Sequence, residues 1–90
     1  MIKKQFEMAK RLVEIEVAEI NERYANDIDG QCYLLDYTIT DSDIEIVPQT
    51  DLTLHCIEDF LKIAMTCNMN VYVTTTLNRD RNIAPCLRMF

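Results

Sequence analysis

The 90-residue chain has no tryptophan, one glycine, one serine, one histidine and two prolines, and each shortage removes a class of chemistry. Phosphate-cradling loops need several glycines to let backbone N–H groups approach phosphate, and Gly30 stands alone. His55 and Ser42 leave few ways to assemble a catalytic triad. Apolar runs such as Tyr33–Leu35 and Ile63–Met65 are far short of the ~20 residues that would span a bilayer. No apolar signal region follows Met1-Ile2-Lys3-Lys4, so the expected location is the cytoplasm and no membrane partner is expected. The cysteines, Cys32, Cys56, Cys67 and Cys86, form no Cys-x-x-Cys pair and are expected to be reduced thiols serving as small apolar side chains.

What is present suits one small domain over residues 1–90. Hydrophobic residues make up 49% and charged residues 27%, enough to close a core with little stability to spare. The net charge of −6 is unevenly spread. Residues 1–11 carry Lys3, Lys4, Lys10 and Arg11 against Glu7, and residues 60–90 carry Lys62, Arg79, Arg81 and Arg88 against Asp80; between them thirteen acids face Arg23 alone. An acidic middle repels a phosphate backbone, which disfavours nucleic acid as a partner.

Hydrophobic periodicity predicts a helix over residues 2–25. At 100° per residue Ile2, Phe6, Ala9, Val13, Val17, Ile20 and Tyr24 fall in a sector of about 80°, a stripe able to face a core. A second cluster, Met8, Leu12 and Ile15, lies outside that sector and is rimmed by Glu16 and Glu19. It either packs against a second helix or contacts another chain. Asn26-Asp27-Ile28-Asp29-Gly30 ends the helix with turn-forming residues.

A hairpin is expected next, with residues 32–39 as one strand, Thr40-Asp41-Ser42-Asp43 as the turn and Ile44–Val47 as the return before Pro48. Thr50 and Asp51 are candidate N-caps for a helix over residues 52–67 whose apolar residues fill most of its circumference, so burial on more than one side is expected. Asn68-Met69-Asn70 breaks it. Val71–Leu77 is the strongest strand signal, Asn78–Asn82 a polar turn, and Ile83–Phe90 a fourth strand that Pro85 should confine to an edge or a bulge. The resulting order, αββαββ, implies an α+β fold with two helices on one face of a four-stranded antiparallel sheet. Moving the last strand to the front gives βαββαβ, so a circularly permuted ferredoxin-like sandwich is the suggested topology, an analogy that carries no function.

Candidate chemistry is sparse. His55, Glu58 and Asp59 lie within one turn of a helix and could share a metal, but a working site needs a ligand from another element. Cys56 points about 100° from His55, which defeats a Cys–His nucleophilic pair. Asp27, Asp29, Gly30 and Asp36 echo a calcium loop that fails at Ala25 and lacks the closing glutamate. Asp41, Asp43 and Glu45 could hold a hard cation, though such acids more often solubilise a hairpin tip. Tyr72, Thr74 and Thr76 share one strand face and Tyr33 with Tyr37 another, without the basic surround that base-stacking sheets use.

No catalytic residue, metal or cofactor is therefore assigned. The expected function is non-enzymatic protein binding, first of all self-association as a homodimer through Met8, Leu12 and Ile15. A second reading is an acidic inhibitor that mimics nucleic acid and docks on a basic protein surface; a third, weaker one is a small metal-dependent enzyme using His55, Glu58 and Asp59.

Overall fold

The computed structural model describes residues 3–24, 35–48, 52–77 and 80–90. Two helices and four strands follow in the order α1 (Lys3–Tyr24), β1 (Leu35–Ile39), β2 (Ile44–Pro48), α2 (Leu54–Thr66), β3 (Val71–Leu77) and β4 (Ile83–Met89). The αββαββ order and the antiparallel sheet are those expected from the sequence. Of the expected elements, the Asn26–Gly30 turn, the start of the first strand at residues 32–34 and the candidate caps Thr50 and Asp51 lie outside the described residues.

The apolar stripe of α1 becomes the core as its spacing implies. Phe6, Ala9, Val13, Val17 and Ile20 are buried in one cluster with Cys56, Phe60 and Ala64 of α2 and with Leu35, Ile44, Ile46, Leu87 and Met89 of the sheet. The sheet residues in this cluster share one face, because Ile44 and Ile46 stand opposite Met89 and Leu87 in the β2–β4 ladder. Both helices therefore cover that face, side by side, with α1 against β1 and α2 toward β3.

Capping sets the ends of α2. Thr53, in extended conformation, accepts a bond from the Cys56 N–H at 3.2 Å, so the helix starts two residues later than its apolar pattern suggests. At the other end Asn68 takes φ 55°, Met69 N–H reaches Ala64 O at 2.8 Å and Asn68 N–H reaches Met65 O at 3.3 Å. That pattern satisfies the last carbonyls and folds Met69 into the core.

The strand order is β1-β2-β4-β3, all neighbours antiparallel. Helix α2 thus links the parallel strands β2 and β3 with β4 inserted between them, the split crossover that a permuted ferredoxin-like sheet contains. Strand β4 is interior, not the edge strand expected from Pro85. Hydrogen-bond phase explains this. Asn70 and Phe90 exchange both backbone bonds, at 2.8 and 3.0 Å, so even-numbered residues of β4 point their N–H groups at β3 and odd-numbered ones point toward β2. Pro85 takes no bond from the β3 ladder. Its missing donor faces the β2 side, where continuing the register would set Pro85 opposite Pro48, and pairing there stops at Ile46↔Leu87. The far half of the β3–β4 hairpin consequently stands clear of β2.

Candidate interaction surface

Helix α2 is buried on one side only, contrary to the expectation from its apolar circumference. Cys56, Phe60 and Ala64 face the core, and the flank turned to α1 carries Asp59 and Lys62, whose charges act on Glu16 of α1. The opposite flank exposes Leu54, Leu61 and Met65, at 69%, 42% and 72%. One sheet and one neighbouring helix cannot cover more of it.

The core face of the sheet is not wholly covered either. Val71 packs against the core, but Val73 and Leu77 farther along β3, and Ile83 opposite Leu77 on β4, are 56% to 79% exposed. The apolar side chains that β3 turns to the core face are thus only partly used inside the molecule. The α2 flank and the β3–β4 hairpin thus each present exposed aliphatic surface.

The β3 edge of the sheet is unpaired among the described residues. The alternation fixed by Asn70 and Phe90 turns the N–H and C=O groups of Val71, Val73, Thr75 and Leu77 away from β4, where no described strand pairs with them. The strand carries no charge and no proline.

The ridge Met8, Leu12 and Ile15 divides. Leu12 is half-buried and packs against the core, while Met8 and Ile15 stay exposed on the outer side of α1. Burial, with Asp59 and Glu19 nearby, raises the Glu16 pKa beside it.

On the far face of the sheet Asp43 is not a solvated tip acid. It is buried in the β1–β2 turn, accepts from Thr40 Oγ at 2.7 Å, and its other oxygen takes Arg88 Nε at 2.9 Å and Nη2 at 2.6 Å. The Thr40 hydroxyl first, and then Arg88, hold the Asp43 carboxyl below its ordinary value against the opposing effect of burial. Arg88 also donates to the Tyr72 hydroxyl at 3.2 Å, and Tyr72 meets Phe90 edge to face at 5.2 Å. These groups border an open cleft of about 760 Å³ lined also by Gln5, Asn68 and Asn70. Its two charged groups neutralise each other, so its chemistry is that of carboxamides and aromatic edges. Sequence offers no signal for the Asp43–Arg88 pair, whose members are 45 residues apart.

The remaining candidates scatter. His55 and Glu58 are exposed and Asp59 half-buried on α2, and among the described residues no three His, Cys, Asp or Glu side chains gather as a metal ion requires. Burial, with Asp59 and Glu16 nearby, pushes the Cys56 thiol up to about 12, and burial raises Cys67 and Cys86 as well. Such thiols stay protonated and behave as small apolar groups. Most of the calcium-like loop, from Ala25 through Gly30, lies outside the described residues. Tyr72, Thr74 and Thr76 do share the face away from the helices, whereas Tyr37 stands on the helix side opposite Ile46.

The fold and surface define an α+β chain with two helices layered on one face of an antiparallel sheet whose β3 edge is unpaired among the described residues. Compared with models of protein families, with curated proteins and with solved structures, the chain matches none of them. Among the described residues no helix is long and apolar enough to cross a membrane.

Proposed function

We propose that this protein acts by binding protein, in the first place a second copy of itself, through the exposed aliphatic surface of the outer flank of α2 and the β3–β4 hairpin. The single observation that carries the reading is the exposure of Leu54, Leu61 and Met65 on α2 together with that of Val73, Leu77 and Ile83 on the β3–β4 hairpin. Six exposed apolar side chains on a ninety-residue chain are costly in water, at ~25 cal/mol per Å² of apolar surface, unless something covers them. Met8 and Ile15 form a smaller second patch, and Leu12, expected at its centre, is partly drawn into the core. An acidic mimic of nucleic acid is supported less well, because Asp43 is buried against Arg88 and Glu16 faces α2.

Sedimentation across a wide concentration range tests the proposal. The parent chain is expected to pass from monomer to dimer, Leu61→Glu to remain monomeric with an unchanged far-UV spectrum, and Ile15→Glu to dimerise like the parent. A parent that stays monomeric throughout refutes self-association. Loss of the dimer in Ile15→Glu but not in Leu61→Glu moves the interface to α1.

A further inference from the structure

Resting on that reading of self-association, we infer that two copies join β3 to β3 in antiparallel register about a twofold axis at Thr74, making one continuous eight-stranded sheet. The backbone itself selects this register. Val71, Val73, Thr75 and Leu77 are the residues of β3 whose N–H and C=O groups point outward. An axis through Thr74 sets Val71 opposite Leu77 and Val73 opposite Thr75 of the second copy, so all four outward residues on each strand exchange bonds. An axis through Val73 or Thr75 leaves one end of the strand unpaired.

Side chains agree with the backbone. On the helix side the facing row is Val71, Val73, Thr75 and Leu77, with no charge to meet its own image. On the other side Thr74 meets Thr74 and Tyr72 meets Thr76. The second layer fits as well. With α1 against β1 and α2 beside α1 on the same face, α2 falls on the β3–β4 side, so pairing at β3 brings the two α2 helices toward each other across the axis. The flank each turns to the other, the one away from α1, bears Leu54, Leu61 and Met65. The six exposed aliphatics, at roughly 100 Å² each, approach the ~800 Å² per partner of a standard interface, and the paired strand edges supply the rest.

The other edge of the sheet is partly blocked. The outward groups of Leu35 on β1 are taken by the Asn21 side chain, whose Nδ2 donates to Leu35 O at 2.9 Å and whose Oδ1 accepts from Leu35 N at 2.8 Å. Among the described residues, then, one edge is capped at Leu35 by a side chain of the same chain, and the β3 edge carries no such cap.

Cysteine cross-linking reads the register. In the proposed pair Thr74 faces its own copy at a non-hydrogen-bonded site, with Cα atoms ~4.5 Å apart, inside the range a disulfide spans. Thr76 faces Tyr72, and its own copy lies ~14 Å away along the strand. Both substitutions are made with Cys86→Ala, since Cys86 stands opposite Thr74 within the chain. Under mild oxidation Thr74→Cys is expected to give at least tenfold more covalent dimer than Thr76→Cys. Thr75→Pro, which removes an outward N–H that β4 does not use, is expected to abolish the dimer and keep the far-UV spectrum; should it unfold, the exposed Val73→Lys takes its place. A parent that dimerises without the Thr74 preference, and whose dimer survives Thr75→Pro or Val73→Lys, overturns strand pairing and leaves self-association standing. A parent that never dimerises overturns both.

Discussion

The two edge strands of this sheet are finished differently. Strand β1 has five residues, includes Asp36, buries Leu35 and has that residue's outward backbone groups held by Asn21 from α1. Strand β3 has seven residues, no charge and no proline, and its outward groups meet no described strand. Charges, prolines and covering side chains are the usual means by which proteins blunt sheet edges. Where one edge has such a device and the other has none, the bare edge is the one available to a partner, and the exposed flank of α2 lies on that same side.

Proline disturbs this asymmetry most severely, and its effect on β3 depends on parity. Thr74 points its N–H at β4, so Thr74→Pro removes a ladder bond and is expected to cost about 3 kcal/mol or more of monomer stability. Thr75→Pro, one residue on, is expected to leave monomer stability within about 0.5 kcal/mol. Denaturant unfolding at low protein concentration measures both.

Stripping β1 of its cover is the next largest change. Asn21→Ala frees two half-buried backbone groups and is expected to cost about 1 to 2 kcal/mol, with larger assemblies appearing in sedimentation as the second edge opens. Comparable in size is the clasp between the hairpins. Asp43→Ala removes the acceptor shared by Thr40 and Arg88 and is expected to cost about 1 to 2 kcal/mol at neutral pH. Because the folded Asp43 carboxyl is held below its ordinary value, its contribution is present above the ordinary aspartate pKa and is lost as pH falls through the lower folded value. Parent and variant should therefore converge in acid, as thermal melts at descending pH will show.

Smallest is Glu16, on the side of α1 facing α2. Its pKa is raised by burial and by Asp59 and Glu19, so its charged form is disfavoured in the folded chain and costs stability above the folded pKa. Glu16→Gln is expected to stabilise by a few tenths of a kcal/mol at neutral pH and by nothing below the ordinary glutamate pKa, where the carboxyl is protonated in both states. Denaturant midpoints of parent and variant at neutral and acid pH check this.

Much of this architecture is legible in the sequence because it rests on local periods. The stripe from Phe6 to Ile20 has helical spacing and becomes core; Val71–Leu77 is rich in β-branched residues and becomes a strand. What sequence hides depends on register or on distance along the chain. Pro85 reads as an edge marker, yet it occupies an interior strand because its missing N–H points to where β2 pairing has ended, opposite Pro48. The Asn21 cap on Leu35 and the Asp43–Arg88 pair join residues 14 and 45 apart. The α2 wheel shows how much apolar surface exists but not how much the fold can cover. That difference separates the patch expected at Met8, Leu12 and Ile15 from the larger one on α2 and β3.

Residue-resolved amide hydrogen exchange at low and high protein concentration tests the self-pairing edge most directly. If β3 pairs with its own copy, the outward amides of Val73 and Thr75 exchange freely in dilute solution and become protected as concentration rises. The Leu35 amide, bonded to Asn21, is protected at both concentrations, and the outward amides of Tyr37 and Ile39 on β1 stay unprotected at both. A dimer in which Val73 and Thr75 still exchange as freely as in the monomer would contradict self-pairing through this edge.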